Sequence, residues 1–413
     1  MNTILIKKIK LNNSDKDILI SGNRFERIAE EISISADIEI NGAGMAIIPP
    51  FYNGHCHSAM TLLRGYADDM LLDKWLNEYI WPFEAKMSAA DIYAGSRLAI
   101  LEMIKSGTVF FCDMYWDEEQ TIRAAEEMGV RASIGVSMMD RLDPKTLKRN
   151  FEFLAEEHNY SSRISLNVAP HAIYTVGKEL LCKCRDAAEK NNLFLSMHLS
   201  ETQKEIKDCL AENGTTPVRY LEKLGLLGEN SVFAHVVHVD EGEAEILAKT
   251  KSVVVHNPAS NMKLSSGVLK MSLLQEKGCR VMLGTDGTSS NNNLCMLDEM
   301  KLAALLAKVS DRPDLASADE IFEMATAKGA AYFNINAGKI EEGKLADALL
   351  IDLKNERLVP NYNLISNLVY SADCSCIDTV ICDGQIIMQN HKVKGEGEII
   401  DEAIKVCEKL SKA

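Results

Sequence analysis

Short apolar, β-branched segments recur through the middle of this chain, and segments with the composition of helices lie between most of them. Eight such runs follow residue 45: MAIIPPFYN, GTVFFCDMY, RASIGVSMM, RISLNVAPH, LFLSMHLSE, SVFAHVVHV, SVVVHNPAS and RVMLGTDGT. Strands that are apolar on both faces and alternate with helices are typical of a parallel sheet covered by helices. The pattern predicts an α/β fold of the (β/α)8 TIM-like barrel type. A doubly wound open sheet is the alternative, but no G-x-G-x-x-G motif follows the first strand.

The two ends of the chain differ from its middle. Both contain short apolar runs separated by Gly, Asp and Asn turns, which are typical of strands in a small β structure. We therefore expect residues 50–338 to form the barrel. Residues 1–49 and 339–413 should together form a small β-sandwich domain, with a helix at the C-terminus.

Composition limits the partners of this chain of 413 residues, which has a net charge of −15 and a pI near 5.2. An acidic chain is a poor ligand for nucleic acid or an anionic membrane, and no apolar run is long enough to span a bilayer. The eleven cysteines are scattered irregularly, which argues against a disulfide framework. Because the first residues also lack a signal-peptide core, we expect a cytoplasmic protein. The sequence indicates no oligomeric state.

Metal-binding residue types stand at the carboxyl ends of the apolar runs, where barrel enzymes place their catalytic groups. In chain order they are His55, His57, His198, His235 and Asp286. Alternate residues of a strand face the same way, so His55 and His57 should converge, although an isolated His-x-His pair also suits a solvated loop. Three imidazoles and a carboxylate, with one position left for water, are typical of an open catalytic zinc site.

A carboxylate follows one of these histidines closely, since Glu201 stands three residues after His198 in HLSE. Beside a water held by a metal ion, a carboxylate takes the water's proton and hands it to a leaving group. The alternative is an acid at a helix start that faces water. Together with the strand-end residues, the pattern predicts a proton-transfer role for Glu201.

The remaining histidines fit other roles. His235 and His238 differ by an odd number, so within one strand they face opposite ways, and we expect His235 to point inward. His238 should then be packed or exposed. We expect His256 to shape the loop after the seventh strand, and His158 and His391 to lie on the surface.

Several segments resemble one family closely. HCH, HLSE, AHVVH and LGTDG are similar to the mononuclear amidohydrolase superfamily, in its branch of cytosine and guanine deaminases and chlorohydrolases. GHCHSAMTLLRGYADDMLLDKWL, APHAIY, HNPASNMKL and LGTDGTSSNNNLCMLDEM resemble the 5-methylthioadenosine/S-adenosylhomocysteine deaminases. The similarity extends over nearly the whole chain, and the MTLLRG and SNNNL pieces are the more specific to the deaminase branch.

The resemblance implies a metal site with one divalent ion. His55, His57, His198 and Asp286 would hold zinc, although iron(II) fits the same nitrogen and oxygen ligands. Two-metal versions of such a site use a carboxylated lysine from the fourth strand. The corresponding segment here, RISLNVAPHAIYT, contains no lysine, which favours one metal ion.

The resemblance also implies a reaction, namely hydrolytic removal of the 6-amino group of an adenosine-type nucleoside with release of ammonia. The substrate would be 5′-methylthioadenosine, adenosine or S-adenosylhomocysteine. Glu201 would take a proton from the water, protonate the ring nitrogen beside the reacting carbon, and pass a proton to the departing amine. His235 would hydrogen-bond the attacking oxygen, and Asp286 would also accept its proton.

Further side chains would contact the nucleoside if the family pattern holds. Trp75 would pack on it, Glu84 would accept hydrogen bonds from the ribose hydroxyls, and His171 would contact the purine. Ser290 belongs to the same set. A core tryptophan and a helix-capping glutamate are the alternatives for Trp75 and Glu84.

The carboxylate of S-adenosylhomocysteine is best held by arginine. The family has one arginine late in the third strand and another in the following loop, whereas this chain has Val136 at the first position. Only Arg141 is a candidate for the second, and the alternative is that it pairs with Asp140 or Asp143. Val136 would instead offer an apolar wall to a methylthio group.

Two other functions remain open from the sequence. The same metal site would serve a deaminase of guanine or another heterocycle, or a triazine-type chlorohydrolase, because pocket loops decide the ring that is accepted. A barrel scaffold without metal is the non-enzymatic alternative. A scaffold has no physical need for convergent buried metal ligands, which argues against it.

Overall fold

A computed structural model gives the structure of the protein and describes residues 3–412. Its strands are β1 Thr3–Leu11, β2 Ser14–Ser21, β3 Arg24–Ala29, β4 Ile38–Asn41, β5 Met45–Ile48, β6 Phe51–Cys56, β7 Thr108–Tyr115, β8 Arg131–Met138, β9 Ile164–Pro170, β10 Phe194–Leu199, β11 Ser231–His235, β12 Val253–His256, β13 Arg280–Leu283, β14 Ala348–Asp352, β15 Ile377–Cys382 and β16 Gln385–Met388.

Its helices are α1 Leu72–Trp75, α2 Trp81–Glu84, α3 Ala89–Lys105, α4 Glu118–Met128, α5 Pro144–Ala155, α6 Lys178–Asn191, α7 Gln203–Asn213, α8 Pro217–Lys223, α9 Glu241–Thr250, α10 Pro258–Lys263, α11 Met271–Glu276, α12 Met296–Ser310, α13 Ala318–Ala325, α14 Ala327–Tyr332, α15 Leu364–Tyr370 and α16 Glu396–Leu410. A π-helical turn, Leu76–Ile80, joins α1 to α2, and short 3₁₀ helices occur at Ser58–Leu63, Glu356–Leu358 and Cys374–Cys376.

Strands β6 to β13 form a parallel sheet in sequential order, with helices outside it, so the predicted barrel is confirmed. The barrel is nearly closed between β13 and β6. The Asn53 side chain binds Thr285 there, donating from Nδ2 to Oγ1 at 2.7 Å and accepting from the Thr285 backbone at 3.0 Å. The amide of Asp286 also donates to the carbonyl of His55 at 3.0 Å. This seam fixes two site residues against each other.

The first apolar run, MAIIPPFYN, is divided between the two parts of the fold. Met45–Ile48 is β5 of the small sheet, and the barrel starts only at Phe51 with β6. Pro49 and Pro50 separate the two strands, because proline has no N–H to donate to a ladder. The expected domain boundary between residues 49 and 50 lies between these two strands.

The second sheet is mixed and comes from both chain ends, as predicted. Its order is β16-β15-β14-β5-β1-β2-β3, with β4 pairing beside β1. A buried apolar cluster joins both halves of this sheet and includes Ile6, Ile20, Ile47, Leu350 and Ile381. The C-terminal helix α16 packs on α3 of the barrel.

A buried ion pair joins the barrel to the second sheet. Arg131, the first residue of β8, donates to both carboxylate oxygens of Asp347 at 2.8 and 3.0 Å and to Asp383 at 2.7 Å. The hydroxyl of Tyr52 donates to Asp347 at 3.1 Å. These contacts lie at the amino-terminal end of the barrel strands, where barrels carry stability rather than chemistry.

None of the helices within residues 3–412 has the length and apolar character needed to cross a membrane.

Candidate active site

The carboxyl ends of four barrel strands bring the sequence-predicted site residues together. His55 lies in β6 with His57 just beyond it, His198 lies in β10, His235 ends β11, and Asp286 follows β13. All five side chains are buried. Residues that are up to 231 positions apart in the chain thus share one small volume, as the barrel topology predicts.

The backbone turns sharply where the strands end. Ser200, His235, Val236 and Asp286 have φ angles of 50°, 72°, 48° and 61°, in the left-handed region that favours glycine. Such conformations cost energy for residues with a Cβ and concentrate at functional sites. They aim the side chains of His235 and Asp286 into the site independently of strand alternation.

The ring nitrogens and the carboxylate lie close enough to share one ion. The ligand atoms of His55, His198, His235 and Asp286 lie within 4.8 Å of one another. Nε2 of His57 lies 3.2 Å from Asp286 Oδ1 and 3.2 Å from Nε2 of His198. The structure therefore brings together the predicted ligands and also His235. Which four bind the ion stays a prediction.

Each of three imidazoles is oriented by an acceptor on its far side. Nδ1 of His57 lies 2.6 Å from the Met114 carbonyl, and Nδ1 of His198 lies 2.8 Å from the His171 carbonyl. Nδ1 of His235 lies 2.7 Å from Asn261 Oδ1. A ring that donates from Nδ1 presents the lone pair of Nε2, which is how metal-binding histidines are commonly held.

The donor set fits a divalent cation, on two observations. Nε2 of His55 is buried without a hydrogen-bond partner, and two Nε2 atoms, of His57 and His198, face each other at 3.2 Å. Unpaired buried polar atoms are costly unless something binds them. One cation among these nitrogens and the Asp286 carboxylate satisfies all of them.

The charges around Asp286 agree with this. Burial acts to raise the pKa of Asp286, but the rings of His55 and His57, with Nε2 atoms 3.5 and 3.2 Å from its Oδ1, hold that pKa well below its usual range. Burial acts to lower the pKa of His57, but Asp286 raises it to about 9. Burial lowers the pKa of His55 to about 4. The site thus keeps one carboxylate ionised, and a cation would replace the proton on His57.

Glu201 lies beside this cluster and is held firmly by its neighbours. The Glu205 carboxylate accepts from the backbone amides of Ser200 and Glu201 at 2.8 and 2.7 Å, and Ser266 donates to Glu201 Oε1 at 3.1 Å. Glu201 Oε2 lies 3.9 Å from Nε2 of His235. Burial raises the pKa of Glu201, which suits a carboxylate that accepts and returns a proton.

His235 points into the cluster and His238 does not, as expected, but strand alternation is not the reason. Strand β11 ends at His235, and the left-handed turn at Val236 intervenes before His238. His238 is half-buried outside the site, where its Nε2 lies 2.7 Å from the Ser266 carbonyl and its Nδ1 lies 2.8 Å from Gln203.

The other histidines lie outside the cluster. His256 ends β12 and is fully enclosed, and burial lowers its pKa to about 3. His158 is half-buried and stacks on Tyr160 at 4.9 Å, so the expected surface position is only partly right. His391 is exposed in a turn.

A pocket of about 60 Å³ has residues of the cluster in its wall. Its wall includes the predicted substrate residues Trp75, Glu84, Arg141, His171 and Ser290. A second, outer chamber of about 1010 Å³ shares part of this wall, formed by Leu72, Leu76, Trp81, Arg141, Tyr174 and Leu264. The outer chamber leads toward the pocket from the carboxyl end of the barrel.

Glu84 and Tyr115 form a buried pair in the pocket. The Tyr115 hydroxyl donates to Glu84 Oε1 at 2.9 Å, and burial raises the pKa of Glu84 to about 7. Glu84 is the last residue of α2 and faces the pocket, so helix capping is not its role. Trp75 is buried and donates from Nε1 to the Ala67 carbonyl at 3.0 Å, which makes it both a packing residue and part of the wall.

His171 and Ser290 both contact residues of the cluster. The backbone carbonyl of His171 accepts from His198 Nδ1, and its own Nδ1 lies 2.9 Å from Thr175. Burial lowers the pKa of His171 to about 3, so its ring is neutral. Ser290 donates to Asp286 Oδ2 at 2.9 Å.

The prediction that Val136 lines the pocket was wrong. Val136 is buried in the apolar core outside it, and Ser137, the next residue of β8, lies on the pocket wall. Strand alternation is the reason, since neighbouring residues face opposite sides. Arg141 is exposed and stacks over Trp81 at 4.4 Å. Its proposed surface partners are engaged elsewhere, because Asp140 accepts from Gly177 and Asp143 caps α5.

Several residues that the sequence argument did not assign also build the site. Ser260 donates to Asp286 Oδ2 at 2.6 Å, and Asn261 faces His235. Both lie on α10, within the HNPASN segment that was expected only to shape a loop. The remaining unassigned contributors are Tyr115, Glu205 and Ser266. The HNPASN motif was a sequence signal for Ser260 and Asn261, but no motif marks Glu205 or Ser266.

Comparison with known proteins agrees with this geometry. Residues 46–387 match the Amidohydrolase family. The chain belongs to this family. A 5′-deoxyadenosine deaminase of Methanosphaera stadtmanae is 44% identical over 398 residues, covering 95% of this chain and 93% of the relative. A 5-methylthioadenosine/S-adenosylhomocysteine deaminase of Thermococcus sibiricus is 44% identical over 380 residues, covering 90% and 89%.

A solved member of the family has the same fold throughout. The crystal structure of an adenosine deaminase from Xanthomonas campestris with bound zinc aligns with a TM-score of 0.94 and 28% identity. The alignment covers 100% of this chain and 98% of that one. The resemblance inferred from the motifs is therefore confirmed.

Proposed function

We propose that this amidohydrolase is a metal-dependent deaminase that converts the 6-amino group of an adenosine-type nucleoside to the inosine form and releases ammonia. The observation that carries the proposal is the position of Glu201, a buried carboxylate 3.9 Å from His235 at the edge of a His/Asp cluster that fits one divalent cation. Relatives at 44% identity are named for deamination of nucleosides of this type, which supports it.

The proposed ion is a single zinc, with iron(II) as the alternative. His55, His57, His198 and Asp286 are its proposed ligands, with His235 beside them. Such an ion supplies acidity, lowering the pKa of a bound water from 15.7 to about 7. Strand β9 carries no lysine that could bridge a second ion. Directly after this strand, the backbone carbonyl of His171 contacts Nδ1 of His198.

Glu201 moves the protons in the proposed reaction. It takes one proton from the water and gives it to the ring nitrogen beside C6, and it then passes the second proton of the same water to the departing amine. Glu205 accepts from the Ser200 and Glu201 amides, the two that precede the Glu201 Cα, so the backbone that carries the carboxylate keeps its place during the transfers. His235 faces the attacking oxygen, and its orientation is fixed by Asn261. Asp286 is the second proton acceptor.

The nucleoside lies in the pocket in this proposal. Glu84 accepts hydrogen bonds from the ribose hydroxyls, in competition with Tyr115. Trp75 packs on the nucleoside, and the neutral ring of His171 contacts the purine. Ser290 holds Asp286 and borders the same space.

Ammonia release tests the proposal. The purified enzyme, loaded with zinc, is assayed with adenosine, 5′-deoxyadenosine, 5′-methylthioadenosine, S-adenosylhomocysteine, guanine and an aminated triazine, and with a chlorinated triazine by chloride release. We expect turnover of the adenosine-type nucleosides and a shift of the purine absorbance to that of the inosine form. Turnover of guanine or a triazine in preference to every adenosine compound would contradict the proposal.

The same assay measures the preference at the 5′ position. At the end of β8 the wall carries the uncharged Ser137, and Arg141 in the following loop is exposed and already stacked on Trp81. Because an exposed charge pair contributes little, we expect kcat/KM for 5′-methylthioadenosine or adenosine to equal or exceed that for S-adenosylhomocysteine. A preference for S-adenosylhomocysteine above about tenfold would mean that another residue binds its carboxylate.

We also propose the cytoplasm as the working compartment and a small-molecule nucleoside as the partner. All eleven cysteines are free thiols in the described part of the chain, which suits a reducing compartment.

A further inference from the structure

Residues 65–87 form a cap over the pocket, and in its present position this cap leaves too little room for a nucleoside. The cap contributes Leu72, Trp75, Leu76, Trp81 and Glu84 to the pocket wall. The free space in the pocket is about 60 Å³, whereas an engineered cavity of about 150 Å³ takes up a single benzene. A purine nucleoside is larger than benzene, so on the proposed function the cap has to move for each substrate and each product.

Tyr115 and Lys263 are the two residues whose side chains hydrogen-bond side chains of the cap within the described part of the chain, and Tyr115 does so at both Glu84 and Met87. At its C-terminal end, Glu84 accepts from Tyr115. At its N-terminal end, Asp68 accepts from the Lys263 ammonium, in the one ion pair that joins the cap to any other part of residues 3–412. Between them the cap is held by apolar packing, in a cluster that includes Trp75 and Leu264.

Lys263 is fixed in place before it reaches the cap. Besides Asp68, its ammonium donates to Asn292 Oδ1 and to the Ser289 carbonyl, the latter at 3.4 Å. The Asn292 carbonyl in turn accepts from Arg64, which pairs with Glu102 of α3. Three donors of the ammonium thus have three oxygen partners, and two of these belong to the barrel side.

Three of the segments quoted from the sequence meet at this point. Arg64 belongs to MTLLRG, Lys263 to HNPASNMKL, and Asn292 to SNNNL. Lys263 is also the last residue of α10, whose Ser260 and Asn261 bind Asp286 and His235. The helix that orients the reacting groups therefore also holds the cap.

We propose that Lys263 is a positioning residue that holds the cap through Asp68, and that this ion pair breaks each time a nucleoside enters or leaves. The closed cap keeps Trp75 and Glu84 at the nucleoside. The ion pair is present in the closed protein whether or not the pocket is filled. Removing it therefore lowers the barrier to opening and leaves the equilibrium affinity of the closed pocket unchanged.

The chain's tryptophans report on the cap. The chain has three tryptophans, and all of them line the pocket. Trp75 and Trp81 belong to the cap, and Trp116 does not. The test compares Lys263→Met and Asp68→Asn with the wild type by stopped-flow tryptophan fluorescence with inosine, and by acrylamide quenching without any nucleoside. Lys277→Met is the matched control, because Lys277 has the same side-chain exposure of 22% and pairs with two glutamates away from the pocket.

For each cap variant we expect the association and dissociation rate constants of inosine to rise together by about fivefold, the value for a partly exposed ion pair. The dissociation constant should stay within about twofold. The double variant should match the single ones, Lys263→Arg should restore the slow rates in part, and quenching should increase without nucleoside. The control should behave as the wild type.

Rates and quenching that match those of the wild type in both single variants would overturn the proposal. A changed dissociation constant with an unchanged association rate would also overturn it, since Lys263 would then act on the closed pocket itself. The quenching result does not depend on nucleoside binding. It therefore separates a failure of this proposal from a failure of the proposed deaminase activity.

Discussion

Glu201→Gln is expected to lower kcat for deamination by about 10²–10⁴-fold while the metal content stays at the wild-type level. Glutamine has nearly the same shape and keeps the hydrogen bond that Ser266 donates to Glu201 Oε1. It has no ionisable group, so it neither accepts the water's proton nor delivers one to the amine. The measurement is steady-state ammonia release, with metal analysis of the same sample.

The matched control for this variant is Glu222→Gln, which makes the same substitution on the exposed face of α8. We expect it to turn over as the wild type does. Near-normal turnover in Glu201→Gln would show that another group moves the protons. A loss of metal in that variant would show that Glu201 supports the ion rather than the proton transfers.

His198→Ala is expected to release the metal and abolish activity while the fold survives. Removing only the hydrogen-bond partner of a ligand costs about 10–100-fold in metal affinity, so removing a ligand itself should cost more. The barrel core is built from apolar strand residues and does not depend on the imidazole. The measurement is metal per chain after dialysis against a mild chelator, with circular dichroism to follow the fold.

Exposed His391 provides the comparison, because His391→Ala removes an imidazole from a turn outside the site. That variant should keep one metal ion per chain. If His198→Ala also keeps one ion per chain, His198 is not a ligand. His235 would then be the first replacement to consider, since its ring lies in the same cluster.

Most of the barrel could be predicted because its signal is local. Each strand is apolar on both faces and is followed by a helix pattern, and this period can be read within about ten to twenty residues. The run MAIIPPFYN is a special case, because apolar character alone does not tell which sheet each part of a run joins. Pro49 and Pro50 marked the break.

The side-chain directions near the strand ends were harder to predict. Alternation works inside a strand, and it places Ser137 rather than Val136 on the pocket wall once the strand's bounds are known. It fails beyond the last residue of a strand. At His235 and Asp286 the left-handed backbone directs the side chains into the site, and neither residue is a glycine that would have predicted this conformation.

The sequence by itself determined the residue types of the site and the end of the barrel where they stand. It did so because chemistry follows from residue type, and because parallel strands carry their carboxyl ends to one edge. Only the tertiary structure decided that Asn261 orients His235, that Glu205 holds Glu201, and that Lys263 reaches Asp68 of the cap. The first and third are contacts between segments far apart in the chain, and the second depends on the left-handed turn at Ser200. Packing and loop geometry set all three, and local sequence patterns do not encode them.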